Sequence, residues 1–131
     1  MGTTILVGVA VLWLAFNIGK KLLIKLNPNV KNVSASEARQ LIDANKDLVI
    51  LDVRTKIEYN NGHIPGAILI PAHELSARVK ELAVYYNKPI LVYCASGGRS
   101  PGAVYTLRNN FAPIYHLSSG LSNWKFRLKV S

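Results

Sequence analysis

Apolar positions follow two regimes along the chain. From Met1 to Gly19 no side chain is ionisable, and residues 5–16 are almost continuously apolar. Beyond Asn27-Pro28-Asn29, short apolar runs alternate with stretches of helical period. The runs at 30–33, 48–53, 67–70, 90–93 and 114–117 predict five strands; the third is closed by Pro71. Between them, Ser34-Ala35-Ser36-Glu37 has the pattern of a capping box, followed by Ala38, Leu41 and Ile42 at helical spacing. That helix is expected to stop near Ala44-Asn45. The polar stretch 54–62 predicts a short helical turn. Residues 73–85 predict a helix with Leu75, Val79, Leu82 and Ala83 on one face. A further helix is expected from Arg99 to about Asn110, with Pro101 in its first turn, and a last one over 121–128 with Trp124 as its core anchor. Strands alternating with helices imply an α/β domain: a parallel five-stranded sheet flanked by helices on both faces. Ligands of such sheets bind beyond the carboxyl ends of the strands.

The first regime predicts one transmembrane helix, since about 20 apolar residues span a bilayer. Lys20, Lys21 and Lys25 follow it, and the helix is expected to run to about Leu26. No basic residue precedes the run and no Ala-x-Ala site follows, which argues against a cleaved signal peptide. Lysines on the C-terminal side alone place the remainder in the cytoplasm by the positive-inside rule. The expected organisation is an anchor with a basic flank at 1–26, a linker and first strand at 27–33, and the domain at 34–131. The chain has a formal charge of +9; from Lys31 onward thirteen basic residues face seven acidic ones, a net +6. The basic residues are scattered without aromatic interleaving, so no nucleic-acid partner is expected. Anionic lipid headgroups account for the surplus at least as well.

Cys94 is the sole cysteine, which excludes an internal disulfide, a Cys-based zinc site and a resolving thiol. Anything the sulfur picks up must leave to another molecule. Cys94 ends the fourth predicted strand and begins Cys94-Ala95-Ser96-Gly97-Gly98-Arg99-Ser100, which enters a helix. A thiol at a helix N-terminus meets unpaired N–H groups and the positive end of the dipole, so it should be unusually acidic. Gly97 and Gly98 permit positive φ and hence an anion-binding nest of N–H groups. Arg99 adds a planar cation. The chemistry indicated is a nucleophilic sulfur facing an anionic substrate. Asp52, Arg54 and Glu58 are assigned supporting roles: Asp52 bracing loop N–H groups, Arg54 pairing with Glu58 across the turn. His63 is expected to be a hydrogen-bonded structural residue. His73 and His116 have no motif around them, and three widely spaced histidines make no metal site.

Two segments resemble the rhodanese-homology domain, the sulfurtransferase family. One is Leu51-Asp52-Val53-Arg54 with Glu58-Tyr59 and Gly62-His63-Ile64-Pro65-Gly66-Ala67; the other is the Cys94–Arg99 loop, of the form Cys-x-x-Gly-x-Arg. Gly120 and Trp124 resemble the family's Gly-Gly-x-x-x-Trp ending, with Ser119 in place of the first glycine. The resemblance covers about 30–128 and implies a rhodanese-like fold. It further implies that the Cys94 thiolate takes the outer sulfur of thiosulfate or a persulfide and passes it, through a Cys94 persulfide, to a thiol or cyanide acceptor. Residues Ala95 to Ser100 would cradle the anion. Related phosphatases and arsenate reductases have one more residue between Cys and Arg than the four found here. No metal or organic cofactor is called for. The expected partners are therefore a small sulfur donor, a thiol acceptor and, through the N-terminal helix, membrane lipid. A binding or scaffold module at the membrane, with little turnover, is the alternative. With Arg99 the one basic residue in the loop, thiosulfate is expected to bind weakly.

Overall fold

The computed structural model describes residues 2–131, with side chains at all of these positions except 2–5, 20, 21 and 23–26. Five helices and five strands follow in the order α1 (Gly2–Leu26), β1 (Val30–Val33), α2 (Ala35–Ala44), β2 (Val49–Asp52), α3 (Lys56–Asn60), β3 (Ile68–Leu69), α4 (Ala72–Arg78), β4 (Ile90–Tyr93), α5 (Ser100–Leu107) and β5 (Ile114–Leu117). Short 3₁₀ helices occupy Val79–Tyr85 and Gly120–Asn123.

The strands form one parallel sheet in the order β1-β5-β4-β2-β3. β4 is central and its four residues are fully buried, which explains why Ile90-Leu91-Val92-Tyr93 is apolar without alternation. Side-chain parity divides the core into two layers. Leu51, Ile90, Val92, Cys94 and Ile114 pack with Leu75, Leu82, Val104 and Leu107 from α4, the adjoining 3₁₀ helix and α5. Ile50, Leu91, Tyr93 and Leu117 pack on the other face with Ala38, Leu41 and Ile42 of α2, together with Trp124. Helices thus cover both faces, as the alternating pattern required.

The capping box of α2 is formed: Ser34 Oγ accepts the Glu37 N–H (3.2 Å) and the Glu37 carboxylate accepts the Ser34 N–H (3.1 Å). A second box, Thr55 with Glu58, starts α3.

Three expectations change. The helix expected over 73–85 is α4 followed by a 3₁₀ segment, because Arg78 leaves helical geometry (φ −115°, ψ 4°). Leu75 and Leu82 remain buried, but the tighter winding turns Ala83 to solvent. The helix expected over 121–128 is only the turn Gly120–Asn123. Beyond it Trp124 is extended (ψ 119°), and Lys129 pairs its backbone with His63 in an antiparallel bridge (3.0 and 2.8 Å). Trp124 is nonetheless buried, as expected.

The third change concerns the transmembrane anchor. α1 is helical over the expected range, but among the described residues no helix is long and apolar enough to cross a membrane. The Lys20, Lys21 and Lys25 side chains that set the orientation lie outside the described residues. The structure therefore does not support the anchor or a lipid partner. What it shows is a helix with exposed Leu6, Leu12, Trp13 and Phe16 that lies against α5 and β1.

Removing the Ser34 hydroxyl should leave the Glu37 N–H uncapped. Ser34→Ala is expected to lower unfolding free energy by about 1 kcal/mol, read from urea denaturation at constant m-value.

Candidate active site

β4 delivers Cys94 on the same face as Ile90 and Val92, since residues two apart in a strand share a side. The chain then turns through 95–99 into α5. Two close approaches hold this turn shut. Gly97 (φ +92°) passes so near the Ser118 carbonyl that a Cβ there would lie 2.0 Å from its oxygen. Gly120 (φ +60°) sits beneath the loop, where a Cβ would fall 2.4 Å from the Cys94 oxygen and 2.6 Å from Ala95. That closeness lets Leu121 and Ser122 donate their N–H groups to the carbonyls of Cys94 and Ala95, both at 3.1 Å. Gly98 has no positive φ and open space around it, so only Gly97 of the two loop glycines uses its conformational freedom. Ser119, in place of a family glycine, has an ordinary φ of −90°.

Cys94 is 1% exposed. Burial pushes its pKa up, but hydrogen bonds from the Ser100 hydroxyl and the N–H groups of Arg99, Ser100 and Gly97 push the other way. The net result lies below the ordinary thiol value. The Gly97 N–H lies 3.1 Å and Ser100 Oγ 3.3 Å from Sγ. The contacts come from the far half of the loop and the first turn of α5; Ala95 is instead tied to Ser122 through its carbonyl.

The expected support residues are present with different partners. Arg54 pairs with Asp52: its Nη2 lies 2.7 Å from Oδ2, and its Nε and backbone N–H reach Oδ1 at 3.0 and 2.9 Å. Asp52 therefore braces Arg54, not the Cys94 loop. Arg54 also donates to the Gly62 carbonyl (2.7 Å) and so fixes the turn before His63. Glu58 pairs with Arg99 across 41 residues, in a bidentate fork of 2.7 and 2.9 Å. Arg99 and the Thr55 cap hold its carboxyl down to about 2. The cation expected to face substrate is thus already occupied by a carboxylate. His63 is buried, stacks on Tyr59 at 3.6 Å and contacts its carbonyl through Nδ1 (2.8 Å), which fits the structural role expected for it.

His116 is what the sequence reading missed. It is buried beside Ser100, with Nε2 2.5 Å from Ser100 Oγ and Nδ1 2.9 Å from Asn32 Oδ1. Burial lowers its pKa to about 4. The overlooked signal was parity: His116 lies two residues from Ile114, on the strand face that must be buried.

A cleft of about 340 Å³ opens beside the loop, lined by Asn17, His73, Gly98, Arg99 and Pro101 among others. An anion entering here meets α5 and the outer loop; Cys94 is not among the lining residues.

The family model for the rhodanese-like domain matches residues 34–127. The chain belongs to that family. It is 38% identical over 82 residues to YqhL of Bacillus subtilis, covering 62% of this chain and 64% of that protein. It is 27% identical over 96 residues to a sulfurtransferase of Allochromatium vinosum, covering 72% and 88%. The match to a second Bacillus subtilis relative, YrkF, spans 51% of its length. Among solved structures, a rhodanese-related protein of Thermoplasma volcanium superposes with a TM-score of 0.68 at 29% identity, covering 77% of this chain and 99% of that one.

Two outcomes follow from the rhodanese-like geometry. Gly120→Ala must push the Cys94 carbonyl away, and should cost about 2 kcal/mol or more in stability while slowing Cys94 alkylation. His116 has a folded pKa of about 4 against an ordinary 6.5, so the unfolded chain takes up the proton first. The His116 contribution to stability should fall as pH drops from 6.5 to 4, by up to about 3 kcal/mol. Urea midpoints across that range should show this loss in the wild type and not in His116→Gln.

Proposed function

We propose that the protein is a sulfurtransferase that carries sulfane sulfur as a Cys94 persulfide. The observation that carries this reading is the set of polar groups converging on a buried thiol: the Gly97 nitrogen lies 3.1 Å and Ser100 Oγ 3.3 Å from Cys94 Sγ, and the thiol pKa is held below its ordinary value. Membership of the rhodanese-like family and the sulfurtransferase among its relatives support the same reading. In the forward half-reaction the Cys94 thiolate attacks the outer sulfur of thiosulfate. The donor's S–S bond breaks, sulfite leaves, and the terminal sulfur of the new persulfide carries the negative charge. An acceptor thiolate or cyanide then attacks that sulfur and Cys94 leaves as thiolate. Both steps leave an anion on sulfur, which the Gly97, Arg99 and Ser100 N–H groups stabilise as oxyanion-hole donors stabilise oxygen. With four residues between Cys94 and Arg99, the loop suits a sulfur anion better than a tetrahedral oxyanion.

Thiosulfate is a poor fit, because Arg99 is held by Glu58 and the loop offers no second cation. A persulfide, with less charge to neutralise, is the better donor. Thiosulfate:cyanide sulfurtransfer should therefore be measurable, with a thiosulfate KM of about 1 mM or above, and absent in Cys94→Ser. Incubation with a low-molecular-weight persulfide should add the mass of one sulfur to the wild type and not to Cys94→Ser. If neither donor loads the sulfur, the protein is a binding module on this fold. Freeing the guanidinium with Glu58→Gln should lower the thiosulfate KM roughly two- to fivefold, the range expected from a partly exposed ion pair.

A further inference from the structure

Cys94, Ser100, His116 and Asn32 stand in one hydrogen-bonded line. Sγ is 3.3 Å from Ser100 Oγ, that oxygen is 2.5 Å from His116 Nε2, and His116 Nδ1 is 2.9 Å from Asn32 Oδ1. The sheet builds this line by register, since Asn32 and Val92 are the cross-strand neighbours of His116 and Cys94 follows Val92 on the same face. Its inner members are sealed, with Ser100 at 0% and His116 at 5% exposure, whereas Asn32 is exposed on the edge strand. Asn32 borders a separate cavity of about 580 Å³ with Lys31, Gln40 and Tyr115, which shares no lining residue with the cleft beside the loop.

We infer that this line is a proton relay, carrying the Cys94 thiol proton through Ser100 and His116 to solvent at the β1 edge, with His116 as the positioning residue. An amide oxygen only accepts, so Asn32 Oδ1 places the imidazole proton on Nδ1 and leaves Nε2 free to accept from Ser100. The Ser100 oxygen then accepts from the thiol. On ionisation the S–H bond breaks and its electron pair stays on sulfur. The proton joins Ser100 Oγ as the serine's own proton passes to Nε2. The imidazolium releases its Nδ1 proton to water at Asn32, whose amide turns to donate from its nitrogen. Nothing is oxidised or reduced, and every donor in the line now points towards the sulfur. A neutral imidazole thereby serves both states of the thiol by exchanging its tautomer.

Charged groups near the thiol are Arg99, paired with Glu58 of α3, and Asp52 with Arg54 at the end of β2. His116 faces Ser100 of α5 and Asn32 of β1, and among the described residues it forms no ion pair. The titration of the thiol is therefore coupled to the imidazole tautomer through Ser100 alone.

The relay rests on Cys94 being the reactive sulfur, but its test needs no sulfur transfer. In ¹⁵N-labelled full-length protein, long-range proton–nitrogen spectra should show His116 protonated on Nδ1 below the thiol pKa and on Nε2 above it. The pH midpoint of Cys94 alkylation by iodoacetamide should rise by about one unit in Ser100→Ala and in His116→Gln, with no further rise in the double variant. A single tautomer at all pH values, an unchanged midpoint in folded His116→Gln, or additive shifts would each overturn the relay. Loss of thiosulfate turnover with the tautomer exchange intact would instead sink the sulfurtransferase reading.

Discussion

The structure turns on the contest at one sulfur atom. Burial alone would make Cys94 an inert core residue, since an anion in an apolar setting lacks water to solvate it. The chain supplies replacement solvation from its own backbone, with the N–H groups of Gly97, Arg99 and Ser100 and the Ser100 hydroxyl converging on Sγ. These donors are the end of α5 and a loop too tight for side chains at Gly97 and Gly120. Water is excluded and its function retained, which suits a group that must hold charge without losing it to hydrolysis or stray oxidants.

Much of this was legible in the sequence. The continuous apolar run of β4, the glycines after Cys94 and the proline in the first turn of α5 are local signals, and local signals fixed the strand, the loop and the helix start. The Ser34 box was legible for the same reason. What stayed hidden depends on distance in sequence. Arg54 could pair with a carboxylate on either side, Asp52 or Glu58. The choice is settled only by folding, because Arg99, arriving from 41 residues away, takes Glu58. His116 carries no motif, and its meaning comes from the register that sets it beside Asn32 and Val92. The tail misled because its apolar residues fit a helical spacing, while the backbone bridge between Lys129 and His63 draws it out straight.

Parallel pairing also explains how a short protein positions so many groups. β2, β4 and β5 end at one level, so Asp52, Cys94 and His116 arrive near the same rim although they come from three separate segments. Arg54 fixes the turn beyond β2, Gly120 wedges the turn beyond β5, and the Cys94 loop is closed between them. The support residues shape the walls, while the loop holds the sulfur of the proposed chemistry.

Gly120 and its neighbours hold that loop from one side, and Glu58 holds it from the other. Its first two carbonyls are gripped by Leu121 and Ser122, whereas its outer half is held by the Gly97 N–H on Sγ, the close approach of Gly97 to Ser118 and the half-exposed Arg99–Glu58 fork. In the proposed persulfide the added sulfur would lengthen the Cys94 side chain while these tethers keep the strand beneath it in place.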